Sequence, residues 1–124
     1  MKFIIAGGRD FTDYFVLEDT LKTFKNQIDE VVSGDAIGAD IYGARWATYN
    51  NIPVKHFPAD WERNGSQAGF IRNAEMGQYA DAAICFWDGK SKGTKHMIQT
   101  MRFLHKPYYV FDYNGDEIMK GDAD

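Results

Sequence analysis

The chain has 124 residues, 44% hydrophobic and 26% charged, which suits one compact domain with a packed core and argues against wholesale disorder. A net charge of -4 argues against a general nucleic-acid binder, which carries a basic face. A single cysteine excludes an internal disulfide framework, and no apolar run is long enough to span a membrane.

Residues 2–6 (KFIIA) read as a short apolar strand. A strand this early leaves no room for a signal peptide, so a cytoplasmic protein is expected. Gly7-Gly8-Arg9-Asp10 breaks the strand. Thr12 or Asp13 caps the helix that follows, and Tyr14, Leu17, Leu21, Phe24 and Ile28 mark its buried face. Residues 30–33 form a second strand, ending in the glycine-rich turn Ser33-Gly34-Asp35-Ala36-Ile37-Gly38-Ala39-Asp40. Residues 41–49 read as helix and 53–57 as a third strand. A longer loop spans 58–65, and 66–79 read as helix.

Residues 82–87 are apolar on both faces, as expected of a strand at the centre of a doubly covered sheet. Cys85 in this run reads as a buried small hydrophobe. The stretch FWDGKSKGTKHM (86–97) follows. Met97, Ile98, Met101 and Leu104 mark a helix that Lys106-Pro107 ends. Residues 108–113 form a fifth strand. Asn114-Gly115 is a hairpin signal, so 117–119 fold back as a small edge strand. The last residues are polar and expected to fray.

Strands alternating with helices predict one α/β domain over residues 1–124 with a mostly parallel sheet of about five strands plus a C-terminal edge hairpin. Ligands of such sheets bind outside the carboxyl ends of the strands, where the strand order reverses. The glycine-rich turns after strands one, two and four fall there. Neither G-x-G-x-x-G after strand one nor G-x-x-x-x-G-K-[ST] is present, which excludes an ordinary nicotinamide dehydrogenase and a Walker-type ATPase.

Anion binding does not require those strings. A helix start exposes orphan amides and the positive end of its dipole. In Asp88-Gly89-Lys90-Ser91-Lys92-Gly93-Thr94, Gly93 lets the backbone approach a ligand, and Thr94 caps the helix or donates its hydroxyl. Lys90, Lys92, Lys95 and His96 raise the local potential. The alternative is an ordinary loop with solvated lysines. Asp40 reads as the N-cap of the second helix, with a ribose contact as the alternative. Gly7 and Gly8 permit a tight turn, and Arg9-Asp10 reads as a local ion pair. Trp61 and Trp87 either stack on a base or pack at the rim of the core. Three histidines and one cysteine, without H-x-x-H or C-x-x-C spacing, give no metal site, and no cofactor is expected.

Six segments occur in order: Gly7-Gly8-Arg9-Asp10-Phe11, residues 33–40, Phe57-Pro58-Ala59-Asp60-Trp61, residues 68–76 (AGFIRNAEM), Ala80-Asp81-Ala82, and Gly93-Thr94-Lys95-His96-Met97. With them the chain resembles the YspA/YpsA-related branch of the SLOG superfamily, from residue 2 to about 110. That superfamily joins the lonely-guy phosphoribohydrolases and the DNA-processing protein DprA. The resemblance implies a Rossmann-like three-layer sandwich. It also implies a nucleotide-related ligand, such as ADP-ribose or a nucleoside phosphate, at the glycine-rich edge of the sheet. The ligand set expected there is Gly7, Gly8, Arg9, Asp10, Ser33, Gly34, Gly38, Asp40, Asp60, Trp61, Arg72, Asn73, Asp88, Gly89, Ser91, Gly93, Thr94 and His96. The second turn often reads G-G-x-R-G-A-D in this branch; Ile37 stands in place of the arginine and removes one possible phosphate ligand. Small members occur in phages and mobile elements, where ligand sensing or sequestration is the implied task.

The lonely-guy enzymes hydrolyse the N-glycosidic bond of nucleoside monophosphates with an arginine upstream of the fourth strand and the glutamate of P-G-G-x-G-T-x-x-E. Arg72 fits the arginine, and arginine suits bidentate phosphate contact. The alternative for Arg72 is a salt bridge to Asp60 or Glu75. The glutamate position is Met97, whose thioether cannot act as a base. The turn here is also two residues longer and lacks P-G-G. His96, Asp60, Asp88 and Asp40 stand as possible substitutes. The expectation is therefore a sensor or sequestering module for a nucleotide-derived small molecule. Nucleotide N-glycosidic hydrolysis is the alternative, and DprA-like single-stranded DNA binding a further one that the acidic balance disfavours. No nucleic acid or membrane is expected as partner. A homodimer or higher oligomer is expected if the apolar face with Met101 and Phe103 is exposed; the alternative is that this face packs on the sheet.

Overall fold

The computed structural model describes residues 1–121, so the final residues expected to fray lie in part outside the described residues. Six strands form one sheet in the order β3-β2-β1-β4-β5-β6. β1 (Lys2–Gly7), β2 (Glu30–Ser33), β3 (Val54–His56), β4 (Ala82–Phe86) and β5 (Tyr108–Phe111) run parallel. β6 (Glu117–Gly121) returns antiparallel to β5. Ile4 stands between Val32 and Ala83 in register, so β1 and β4 form the centre of the sheet.

Alternation along these strands builds two cores. Phe3, Ile5, Ile84 and Phe86 face α1 (Tyr14–Lys22) and α2 (Ala39–Tyr49), packing on Leu17, Leu21 and Trp46. Ile4, Ala83 and Cys85 face α4 (Ala68–Tyr79) and α5 (Lys92–Phe103), packing on Met76, Met97 and Met101. This is the Rossmann-like three-layer sandwich. Every residue of β4 is buried, as its unbroken apolar run requires. Burial pushes the Cys85 thiol up to about 12, so it stays protonated at neutral pH. Among the described residues no helix is long and apolar enough to cross a membrane.

Several expectations need correction. The first helix ends at Lys22, and a 3-10 turn (Lys25–Gln27) carries Phe24 and Ile28 into the core. Asp13 is its cap, accepting from the amides of Phe15 and Val16. α2 starts at Ala39 rather than 41, because Gly38 at φ +95 serves as its N-cap and leaves Asp40 inside the first turn. The loop over 58–65 contains a short helix α3 (Trp61–Asn64), capped by Asp60, and the start of a 3-10 turn (Gly65–Gln67). α5 begins at Lys92, well before Met97, with Ser91 as its cap. Met101 is fully buried against the sheet, so the apolar face of this helix is core; Phe103 lies on its outer side, 81% exposed.

Lys106 fastens the exit from α4: its Nζ donates to the carbonyls of Gly77 (2.8 Å), Gln78 (3.0 Å) and Ala80 (2.7 Å). These carbonyls have no partner within the helix, and a cation is favourable at that end of the dipole. α2 packs backbone-close on β1 through Gly43, where an added Cβ would meet Ile5 Cγ2 at 2.5 Å and Ile5 Cβ at 2.7 Å. Alanine is the better helix former by about 1 kcal/mol. Gly43→Ala is nevertheless expected to lose roughly 1–2 kcal/mol in urea unfolding, because overpacking of this kind costs about 1–3 kcal/mol. A midpoint equal to or above that of the parent would disprove the close approach.

Candidate functional site

The chain leaves β1 toward α1 and β2 on one side, and β4 toward α5 and β5 on the other. Between the two exits, at the carboxyl edge, opens a cleft of about 540 Å³. Its floor is the turn after β1. Gly7 admits no side chain there: a Cβ would lie 2.5 Å from the Phe86 carbonyl oxygen and 2.7 Å from Ala39 Cβ. Gly8 donates to the same Phe86 carbonyl at 3.2 Å, and its open side is filled by the Tyr113 hydroxyl. That hydroxyl donates to Asp10 Oδ1 at 2.5 Å, so Asp10 is tied to β5's exit rather than to Arg9. Burial and the Asp10 carboxylate raise the tyrosine pKa. Arg9 remains exposed and makes no ion pair among the described residues.

The stretch after β4 forms one wall. Asp88 Oδ1 accepts from the amides of Lys90 and Ser91, both at 2.8 Å, which also lowers its pKa. Its charge thus builds the turn in which Gly89 sits at φ +82. Ser91 Oγ accepts from the Thr94 amide at 3.4 Å and meets Thr94 Oγ1 at 3.0 Å. The Trp87 indole donates to the Ser91 carbonyl at 3.1 Å, so this tryptophan braces the turn. The amides of Lys92 and Gly93 find no acceptor among the described residues, and the space a Gly93 Cβ would enter is open. An open helix start of this kind attracts anions.

α4 supplies the opposite wall and ties the turns together. Asn73, buried, donates from Nδ2 to the Gly93 carbonyl at 3.1 Å and accepts from Arg72 Nε at 3.1 Å. Arg72 Nη1 donates to the Gly34 carbonyl after β2. No salt bridge to Asp60 or Glu75 forms among the described residues. Asp40, only 4% exposed, lines the cleft nearby. Its Oδ1 accepts from the Gly7 amide at 3.3 Å, and the Ala36 amide nearby also favours its charged form. Burial raises its pKa to about 6, against the opposing pull of Arg72 and those amides. A Cβ at Gly34 would stand 2.5 Å from Arg72 Nη1 and 2.8 Å from Asp40 Oδ2. Trp61, 52% exposed, and Phe70 form the aromatic rim.

Of the expected ligand set, Gly7, Gly8, Arg9, Asp10, Asp40, Trp61, Arg72, Asn73, Asp88, Ser91, Gly93 and Thr94 line the cleft together. The others stand behind it. Ser33 Oγ donates to the Asp40 carbonyl at 3.2 Å. Gly34 lies under Arg72, and Gly38 lies against Gly8, whose carbonyl oxygen its Cβ would meet at 2.3 Å. Asp60 accepts from the Arg63 amide at 3.0 Å as the cap of α3, and Gly89 turns away at the surface. His96 packs tilted against Phe70, ring centroids 4.6 Å apart, and meets Asn73 Nδ2 at 3.3 Å; burial lowers its pKa. The wall also includes Ser66, Gly69 and Phe70, outside that set. With Asn73 they follow the i, i+3, i+4, i+7 spacing of one helical face, a pattern legible in the sequence. Among the described residues no group of His, Cys, Asp or Glu is placed to hold a metal ion.

Comparison with known proteins bears on this arrangement. The model of the YAcAr family, described as the YspA, cpYpsA-related SLOG family, matches residues 1–64. The Gene 61 protein of Mycobacterium phage D29 is 35% identical over 108 residues, covering 79% of this chain and 86% of that protein. No solved structure gives a significant match. With half of its length matched by the family model and most of it by that relative, the chain belongs to the YspA, cpYpsA-related SLOG family.

Proposed function

We propose that the chain binds a nucleotide-related small molecule, such as ADP-ribose or a nucleoside phosphate, in this cleft and serves to sense or sequester it. One observation carries the reading: the open start of α5 shares a cleft with Arg9 and Lys90, neither of which has an ion-pair partner among the described residues. Free amides and unpaired cations suit an anionic group, and Trp61 and Phe70 offer flat faces for a base. Family membership and a relative encoded by a phage support this reading.

Met97 favours binding over cleavage. It lines the cleft at 1% exposure, in the position where the resemblance puts the glutamate of the hydrolases. A thioether neither accepts a proton at neutral pH nor steadies a cationic sugar. Asp60 and Asp88 are held by backbone amides, and His96 points into the packing between α4 and α5.

Thermal unfolding against AMP, ADP-ribose, cyclic ADP-ribose, NAD and other nucleoside monophosphates tests the reading. A ligand at about 100 times its dissociation constant adds roughly 2.7 kcal/mol. That raises the midpoint of a domain this size by about 3 °C per kcal/mol or more. The shift is expected to vanish in Arg72→Ala; no shift with any compound would overturn the reading. Gly34→Ala gives a second test. The Cβ would meet side-chain ends rather than backbone, so the guanidinium is expected to swing aside. Ligand affinity should fall about tenfold while the unliganded midpoint stays within a few degrees, on the order of a 1 kcal/mol change. Unchanged affinity would remove Arg72 from the binding site.

A further inference from the structure

We propose that Asp40 is the sugar-reading group of the cleft: its buried carboxylate accepts hydrogen bonds from the ribose hydroxyls of the ligand and so selects ribonucleotides over deoxy analogues. The proposal rests on the nucleotide reading above and adds the ligand's orientation. A carboxylate offers about four acceptor positions. At Asp40 the Gly7 amide fills one of them, and the Ala36 amide also favours the charged form. Arg72 forms no ion pair with it among the described residues, its Nη1 being taken by the Gly34 carbonyl. Asp40 thus lines the cleft at 4% exposure, with acceptor capacity to spare on its carboxylate. A buried acceptor of this kind is costly until a donor reaches it.

The donor cannot be a phosphate oxygen, which repels a carboxylate. A sugar hydroxyl fits, since hydroxyls donate to carboxylates at ribose sites of other α/β folds. The ligand is then oriented with its hydroxyls toward Asp40 and the carboxyl end of β1. Its phosphate lies toward the free amides of Lys92 and Gly93.

Isothermal titration of AMP and of 2′,3′-dideoxy-AMP measures the selection. The two carry the same phosphate, so its own ionisation cancels in their affinity ratio. The charged groups bearing on Asp40 are Arg72 from α4 and Asp35 from the turn after β2; the Cys85 thiol of β4 behind it stays neutral. Asp35 is paired with His56 at 2.7 Å. His56→Gln, which removes this partner of Asp35, is carried as a control.

AMP is expected to bind at least about tenfold more tightly than the dideoxy compound at neutral pH. The ratio should fall toward one as pH drops through about 6, where Asp40 takes up a proton, and should do so in His56→Gln as well. Asp40→Asn, which keeps an acceptor oxygen but loses the charge, should lower the ratio and leave it independent of pH. Should that variant fail to fold, the pH course of the parent decides alone. Equal binding of the two compounds, or a ratio flat from about pH 8 to about pH 5, overturns the proposal and leaves the nucleotide reading standing. Absence of binding by every compound of the thermal-unfolding panel overturns that reading, and this proposal with it.

Discussion

The approach of three backbone segments over the end of β1 governs this molecule. Gly7 lies between the Phe86 carbonyl at the end of β4 and Ala39 at the start of α2, with no space for a methyl group. Gly38, at φ +95, meets Gly8 in the same way. A larger side chain at Gly7 would push α2 and β4 apart, and one at Gly38 would push α2 off the turn after β1. The cleft exists because these glycines let the two chain exits come close and then diverge. Every group that lines it is placed relative to that junction.

Polar cross-links hold the walls. Arg72 and Asn73 are adjacent on α4, yet one donates to the turn after β2 and the other to the first turn of α5. The start of α5 is thereby fixed while its leading amides stay free. The acids of the site divide by task. Asp88 and Asp10 are committed to the protein's own amides and hydroxyl. Asp40 is held deep in the wall, where burial outweighs the neighbouring guanidinium and raises its proton affinity. Preorganised polar groups in a cavity with little water interact more strongly with a ligand than the same groups at a surface.

Much of this was legible in the chain itself. The parallel sheet, its central fourth strand and the Asn114-Gly115 hairpin followed from apolar runs and turn residues, because period and punctuation are local properties. The meeting of separate glycine-rich turns at one edge followed from topology. Helix starts were harder. α5 begins with Lys92, whose side chain gives no apolar signal, and its cap is set by Asp88 folding the turn before it. The sequence places the start of α2 late because aspartate resembles a cap; a glycine at positive φ takes that place and frees Asp40 for the interior. Side-chain direction was not legible either. Trp87 and Trp61 look alike as candidate stacking surfaces, yet one indole braces a turn and the other stands at the rim.

The strand order also sets when the fold can form. β1 is made well before its neighbour β4: the Lys2 amide finds its acceptor on Asp81, 79 residues onward. Until then one edge of β1, buried at Phe3, Ile4, Ile5 and Ala6 in the finished fold, has no partner. Loop closure over so long a segment is slow, and pairings of this range lower folding rates. A nascent chain that pauses between β1 and β4 therefore exposes an unpaired apolar edge, the feature that chaperones bind and that drives aggregation. The architecture that brings the two chain exits together for a ligand is the one that delays completion of the core.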